Sequence, residues 1–241
     1  TLIFCADDRG AAELALLTGQ KRQDLQIIPY GFSASGRYAI ESAQAKNERL
    51  RVKLQGFADE FPLRIPGRHS AMNAAAAAAL VETMAAELDV TIDPAALAAA
   101  FENFTGSKRR SEIIGEADGI LFMDDYAHHP TALRTTLAGL KEFYPGRRIV
   151  ADFMSHTYSR TEVAAAFGDA DLLILHEIYA SAREAAGSVT GETLYARTAE
   201  KHANVRYFGK LDESQKDIDA LLRPGDLFIT MGAGNNFSLS H

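Results

Sequence analysis

From Ser111 onward, short apolar runs alternate with amphipathic segments, and this rhythm restricts the possible folds more than any other feature of the chain. Strands are expected at residues 112–114, 120–124, 148–153, 172–175, 205–208 and 226–231. Helices are expected at residues 131–143, 160–167, 190–201 and 213–222. Strand–helix alternation implies a mainly parallel sheet covered by helices, because parallel neighbours need a crossover between them. Right-handed crossovers bring the strand C-terminal ends to one edge. In open α/β sheets that edge is where ligands bind. The expected fold class is therefore α/β.

Before Ser111 the pattern is mixed. Residues 1–5 read as a strand and 10–18 as an amphipathic helix. Residues 25–30 and 38–54 carry β-rich alternation that suggests strands at a sheet edge. Pro66-Gly67 signals a turn before a helix over 70–88. Asp93 as N-cap and Pro94 at the first helical position start another helix, to residue 101. The cluster Lys108-Arg109-Arg110 then interrupts the pattern, and a domain boundary is expected there.

Composition excludes several classes. The 241 residues are 47% hydrophobic and 24% charged, which suits a soluble globular protein of one or two domains. The net charge is −7 with basic residues scattered, which argues against a nucleic-acid groove. The single cysteine, Cys5, excludes an internal disulfide framework and fits a reducing compartment. No apolar run reaches the length of a membrane span. No signal peptide opens the chain. Its strand-like start without Met reads as a piece of a longer protein.

Four polar clusters fall where strands end or helices begin. In Pro66-Gly67-Arg68-His69-Ser70-Ala71-Met72-Asn73, Ser70 is placed to cap the helix, and His69 and Asn73 share one face. This is either a ligand-facing turn or a capped helix with two solvated polar groups. Lys108-Arg109-Arg110 is either a phosphate clamp or a solvated charge run. Asp124-Asp125-Tyr126-Ala127-His128-His129-Pro130 joins a strand end to a helix start, with Pro130 at the first helical position. Its acids suit ribose hydroxyls or water-mediated Mg²⁺. Adjacent histidines with no third ligand at a defined spacing make a poor zinc site, so no metal ligand is assigned. In the fourth cluster, residues 152–161, His156 and Arg160 are four apart, and the Arg fork suits a carboxylate; the alternative is a polar loop. The closing Gly232-Ala233-Gly234-Asn235-Asn236 suits either close backbone approach to a ligand or a flexible tail. There is no GxSxG, no CxxC, no GxGxxG and no GxxxxGK[ST] phosphate loop.

In order, PGRHSAMNAAAA, FTGSKRR, DDYAHHPTAL, HTYSRT and MGAGN resemble the Mur ligase family of peptidoglycan synthesis, over residues 1–235. DDYAHHPT followed by HTYSRT resembles the alanine-adding branch. The branch that adds a murein tripeptide in cell-wall recycling is the nearest alternative; it shares the Asp-Asp-aromatic-Ala-His-His run but is less similar at HTYSRT. The resemblance implies that residues 1–106 are the C-terminal part of a central ATP-binding α/β domain without its phosphate loop. Residues 107–241 would be a Rossmann-like amino-acid-binding domain.

The implied chemistry is phosphorylation of the UDP-N-acetylmuramate carboxylate by ATP, then attack on the acyl phosphate by L-alanine. The implied cofactors are ATP and Mg²⁺, the latter with its principal ligands upstream, and the implied location is the bacterial cytoplasm. By the same resemblance, His69 and Asn73 meet the adenine side of ATP, Arg110 the phosphates, and Asp125 the ribose. Tyr126, His128 and His129 line the reaction cleft, the two histidines as catalytic groups. His156 and Arg160 hold the alanine carboxylate. A hinge is implied near residues 106–111, and the fragment alone should form no product. A non-catalytic nucleotide- or amino-acid-binding module is the other reading; a Rossmann oxidoreductase lacks its GxGxxG.

Overall fold

In the computed structural model, which describes residues 1–155, 161–178 and 190–240, the chain divides into two units, Thr1–Thr105 and Gly106–His241. The first opens with β1 (Leu2–Cys5), α1 (Arg9–Lys21) and β2 (Ile27–Tyr30). The two strands pair in parallel, Leu2 opposite Ile27 through Cys5 opposite Tyr30, with α1 as the crossover. Asp8 starts α1 by accepting from the Ala11 N–H at 2.7 Å.

The alternation at residues 38–54 becomes a separate antiparallel sheet of β3 (Ile40–Ala45), β4 (Leu50–Leu54) and β5 (Phe61–Leu63), with β4 in the middle. β5 is too short to show a period in sequence. α2 (Arg68–Glu87) packs on β1, β2, β3 and β4. It does so through Ala71, Ala74, Ala75, Ala78 and Ala79, all buried, whose small side chains let the helix backbone approach closely. α3 (Pro94–Asn103) starts on the Asp93 cap, whose carboxylate accepts from the Ala95 N–H at 3.0 Å.

The capping role expected of Ser70 is not observed. Gly67, at φ +91°, is the N-cap of α2 and makes no side-chain cap bond. Ser70 is buried inside the first turn, where its hydroxyl donates to the Pro66 carbonyl at 2.7 Å. A Cβ on Gly67 would stand 2.6 Å from the His69 ring, so the sharp turn needs glycine at that position.

The second unit is one six-stranded sheet. Its strands are β6 (Glu112–Ala117), β7 (Ile120–Asp125), β8 (Arg148–Met154), β9 (Leu172–His176), β10 (Val205–Phe208) and β11 (Asp226–Gly232). Their spatial order is β10-β9-β8-β11-β7-β6, all parallel except β6 against β7. α4 (Pro130–Phe143), α5 (Gly191–Ala199) and α6 (Leu211–Asp219) connect them. α4 buries Leu133, Leu137, Leu140 and Phe143, a stripe at helical spacing. Each such side chain contributes about 1.5–3 kcal/mol when removed from water. Ile218 of α6 joins Ile120, Val150, Leu172, Ile174 and Phe228 in a core under the other face of the sheet.

Residues 161–165 form a 3-10 helix rather than the α-helix the periodicity predicts over 160–167. A segment this short cannot repay α-helix nucleation, and tight turns are the usual substitute. Its apolar residues Val163 and Ala164 are still buried, with Ala166 and Phe167 just beyond. A second 3-10 turn, Asn236–Leu239, packs back on β8 and β11. Among the described residues no helix is long and apolar enough to cross a membrane.

Candidate active site at the strand ends of the second sheet

The end of β7 delivers two buried carboxylates in succession. Because strand side chains alternate, Asp124 and Asp125 point to opposite faces and do different things. Asp125 is 4% exposed. Its Oδ2 accepts from the Ser111 N–H at 2.7 Å and from the Ser111 hydroxyl at 3.1 Å. Its Oδ1 accepts from the Ala127 N–H at 2.7 Å. Burial pushes its pKa upward, and these three bonds and the charge of Arg110 only partly offset that. A carboxylate offers about four acceptor positions, so three bonds leave one on this group.

The loop that follows is set by backbone bonds. Tyr126 donates its N–H to the Arg109 carbonyl at 2.8 Å. His128 Nδ1 lies 2.9 Å from the Tyr126 carbonyl, which only accepts, so Nδ1 is the donor, and in the neutral tautomer this selects, Nε2 is the basic nitrogen. The Tyr126 and His128 rings meet edge to face, 5.2 Å between centroids. His129 is exposed and acts as N-cap of α4, Nδ1 accepting from the Thr131 N–H at 3.3 Å, with Pro130 first in the helix. A capping role for His129 is not visible in sequence, because histidine is not among the preferred caps.

The basic triplet splits. Lys108 and Arg110 are exposed, whereas Arg109 turns inward. Its Nε donates to Asp124 Oδ2 at 2.7 Å and its Nη2 to the Gly232 carbonyl at 3.1 Å. The guanidinium carbon lies over the rings of Tyr126 and Phe237, 5.0 and 4.9 Å from their centroids. One cation of the triplet is thus paired with a buried acid, and Lys108 and Arg110 are the two that face solvent. The residues flanking Arg110 both have left-handed backbone, Arg109 at φ 57° and Ser111 at φ 47°.

A buried polar row crosses the sheet beneath these strand ends. Thr230 of β11 lies between Asp124 of β7 and Asp152 of β8 at one register level. All three are fully buried. Thr230 donates to Asp124 Oδ1 at 2.8 Å, and Asn236 Nδ2 donates to Asp152 Oδ1 at 2.8 Å. Asp152 Oδ2 is 2.6 Å from His176 Nε2, and His176 Nδ1 is 3.0 Å from the Phe208 carbonyl. The sequence reading missed His176 and Asn236; a lone histidine at the end of an apolar strand was the only available signal.

Residues 232–236 form a packed turn rather than a loose tail. Gly232 has φ +110°, and a Cβ there would be 2.3 Å from the Met154 carbonyl oxygen. A Cβ on Gly234 would be 2.5 Å from the Met154 side chain. The glycines serve the packing of this turn on β8, and Asn236 is buried within it.

The remaining sequence candidates fall elsewhere. His69 and Asn73 lie in the first two turns of α2 in the first unit, His69 partly buried and Asn73 exposed. His156 and Arg160 lie outside the described residues. The residues brought together at the end of β7 are Arg110, Asp125, Tyr126, His128 and His129, with Arg109 and Ser111 holding their base. Among the described residues no group of three or more His, Cys, Asp or Glu could hold a metal.

A family model described as "Mur ligase, glutamate ligase domain" matches residues 109–234. The UDP-N-acetylmuramate–L-alanine ligase of Treponema pallidum (strain Nichols) is 47% identical over 247 aligned residues, covering 99% of this chain and 51% of that protein. The chain thus spans about half the length of the curated relatives it matches. The crystal structure of the UDP-N-acetylmuramate–alanine ligase of Thermotoga maritima superposes with a TM-score of 0.72 at 26% identity, over 89% of this chain and 46% of that one. A murein peptide ligase from Psychrobacter arcticus matches with a TM-score of 0.52 at 22% identity, over 93% of this chain and 48% of that one, a likeness of fold alone.

Proposed function

The chain belongs to the Mur ligase family, and we propose that it is the C-terminal portion of an ATP-dependent ligase joining L-alanine to the carboxylate of UDP-N-acetylmuramate. The observation that carries this reading is the 47% identity along 99% of the chain to a ligase of that name. On this reading residues 1–106 complete the ATP-binding domain and residues 107–241 bring the amino acid. The reaction belongs in the bacterial cytoplasm, where ATP and the UDP-linked substrate are found together.

Two steps need help from the protein. ATP phosphorylates the sugar-linked carboxylate, and the alanine amine then attacks the acyl carbon and expels phosphate. Positioning and charge neutralisation dominate such chemistry. Arg110 is exposed and its charge acts on Asp125, and its guanidinium fork suits phosphate oxygens. Asp125 keeps one acceptor position for a ribose hydroxyl, and Tyr126 provides a ring wall. His128, with Nε2 basic, is suited to take a proton from the alanine ammonium. His129 is suited to neutralise charge at the entrance to the cleft. His69 and Asn73 serve the adenine side. Mg²⁺ would neutralise the phosphates, with principal ligands outside this chain. His156 and Arg160 grip the alanine carboxylate.

The test uses the full-length protein with ATP, Mg²⁺ and UDP-N-acetylmuramate. L-alanine should support amide formation, and Arg160→Ala should raise the alanine KM far more than the ATP KM. Arg160→Lys should fail too, because it lacks the fork. Equal changes in both KM values would refute the carboxylate assignment. Product formation with a murein tripeptide but not with alanine would favour the tripeptide-adding branch.

A further inference from the structure

We propose that Arg109 is a positioning residue for nucleotide binding: it does not touch the nucleotide but locks the turn that aims Arg110 and supports Asp125. The proposal rests on the ligase reading above and adds a role that the motif itself does not assign.

The argument begins with the backbone. Arg109 and Ser111 both have positive φ, with Arg110 between them. Non-glycine residues adopt that conformation only when their surroundings over-determine it, at about 1–3 kcal/mol each. The surroundings here are unusually complete. The Arg109 N–H donates to Glu112 Oε2 at 2.7 Å, and its carbonyl accepts from Tyr126 at 2.8 Å. Its side chain is tied to Asp124 and to Gly232, and its charge lies over two aromatic rings. Asp124 is in turn bonded by Thr230, so the anchor is the buried polar row of the sheet itself.

Geometry also favours this role over direct phosphate contact. The Arg109 guanidinium is turned toward the sheet, with Nε on a fully buried carboxylate, one Nη2 proton on a carbonyl and two aromatic rings within about 5 Å. Arg110 has the opposite placement, exposed and one residue away. Loss of the Arg109 anchor lets the turn relax, which disturbs Arg110 directly and Asp125 through Ser111.

The test compares wild type, Arg109→Lys, Arg110→Ala and the double variant in the full-length protein. Lysine keeps the charge but cannot bond Asp124 and Gly232 together while lying over both rings. Arg109→Lys should raise the ATP KM roughly tenfold, with a smaller change in kcat and little change in alanine KM. In the double variant the ATP KM should rise by clearly less than the product of the two single effects, since the Arg110 part of the Arg109 effect is already lost. In ligand-free protein the Ser111 and Tyr126 amides should exchange roughly tenfold faster than in wild type.

An ATP KM in the double variant equal to the product of the two single effects would overturn the proposal, because Arg109 would then meet the nucleotide independently. Unchanged exchange at both amides, or a lowered melting temperature with unchanged ATP KM, would overturn it too. Should the wild-type protein consume no ATP with any amino acid, the ligase reading fails, while the exchange result still decides whether Arg109 holds the turn.

Discussion

Asp152 and His176 are joined inside the sheet by a 2.6 Å hydrogen bond between side chains with no solvent exposure. The other ring nitrogen faces the Phe208 carbonyl, which can only accept. Both nitrogens therefore face acceptors, an arrangement that favours the protonated ring. Burial alone would lower its pKa, but the Asp152 charge and hydrogen bond, with the Phe208 carbonyl, outweigh burial and raise it.

The sign of the pH effect follows. A histidine with a raised folded pKa gives stability that is whole below its unfolded pKa of about 6.5 and is lost as pH climbs through the raised folded value. Urea midpoints should therefore fall as pH rises above about 6.5. The Asp152→Asn/His176→Asn double variant should lack that slope. His176→Ala alone should cost about 3–5 kcal/mol, because it strands a buried carboxylate. A wild-type midpoint flat across this range would contradict the charged-pair assignment.

The Gly232 turn should tolerate no side chain. Gly232→Ala meets both a left-handed backbone and a Met154 carbonyl oxygen at 2.3 Å. The expected loss is about 1–3 kcal/mol or more. Gly146→Ala is the control, since a Cβ there meets nothing within 4 Å and no left-handed φ is required. Thermal melts of the two variants should differ by several degrees, with Gly146→Ala near wild type. Equal melts would show that the turn can shift.

His129 has two assigned jobs that one substitution separates. His129→Asp supplies a better N-cap at the positive end of α4, so stability should hold or rise by about 0.5–1 kcal/mol. Ligase activity should still fall, because the substitution puts negative charge where phosphate approaches. Full activity in this variant would reduce His129 to a helix cap.

Much of the second unit is legible in sequence because its strands and helices carry clean periods. The 205–208 strand, for example, is read to the residue. Pro130 at the first helical position is also read, and the strand before it is read to within one residue, 124 against the observed Asp125, since the turn chemistry is local. What sequence hides is non-local. Nothing near Arg109 says that Asp124, fifteen positions on, neutralises it, nor that Phe237 closes over it. Ser70 reads as a cap from its neighbours, yet the preceding glycine takes that place because the turn requires positive φ. His176 shows no motif, since its partners arrive from β8 and β10 through tertiary pairing. The glycines at 232 and 234 resemble a ligand loop because glycine answers any close approach, whether of ligand or of Met154.

The most direct test of the ligase account is oxygen transfer in the full-length protein. UDP-N-acetylmuramate labelled with ¹⁸O in its carboxylate is incubated with ATP and Mg²⁺, with and without L-alanine. An acyl-phosphate route carries one labelled oxygen into each phosphate released, and turnover requires alanine. Release of unlabelled phosphate, or release indifferent to the amino acid, would contradict the account.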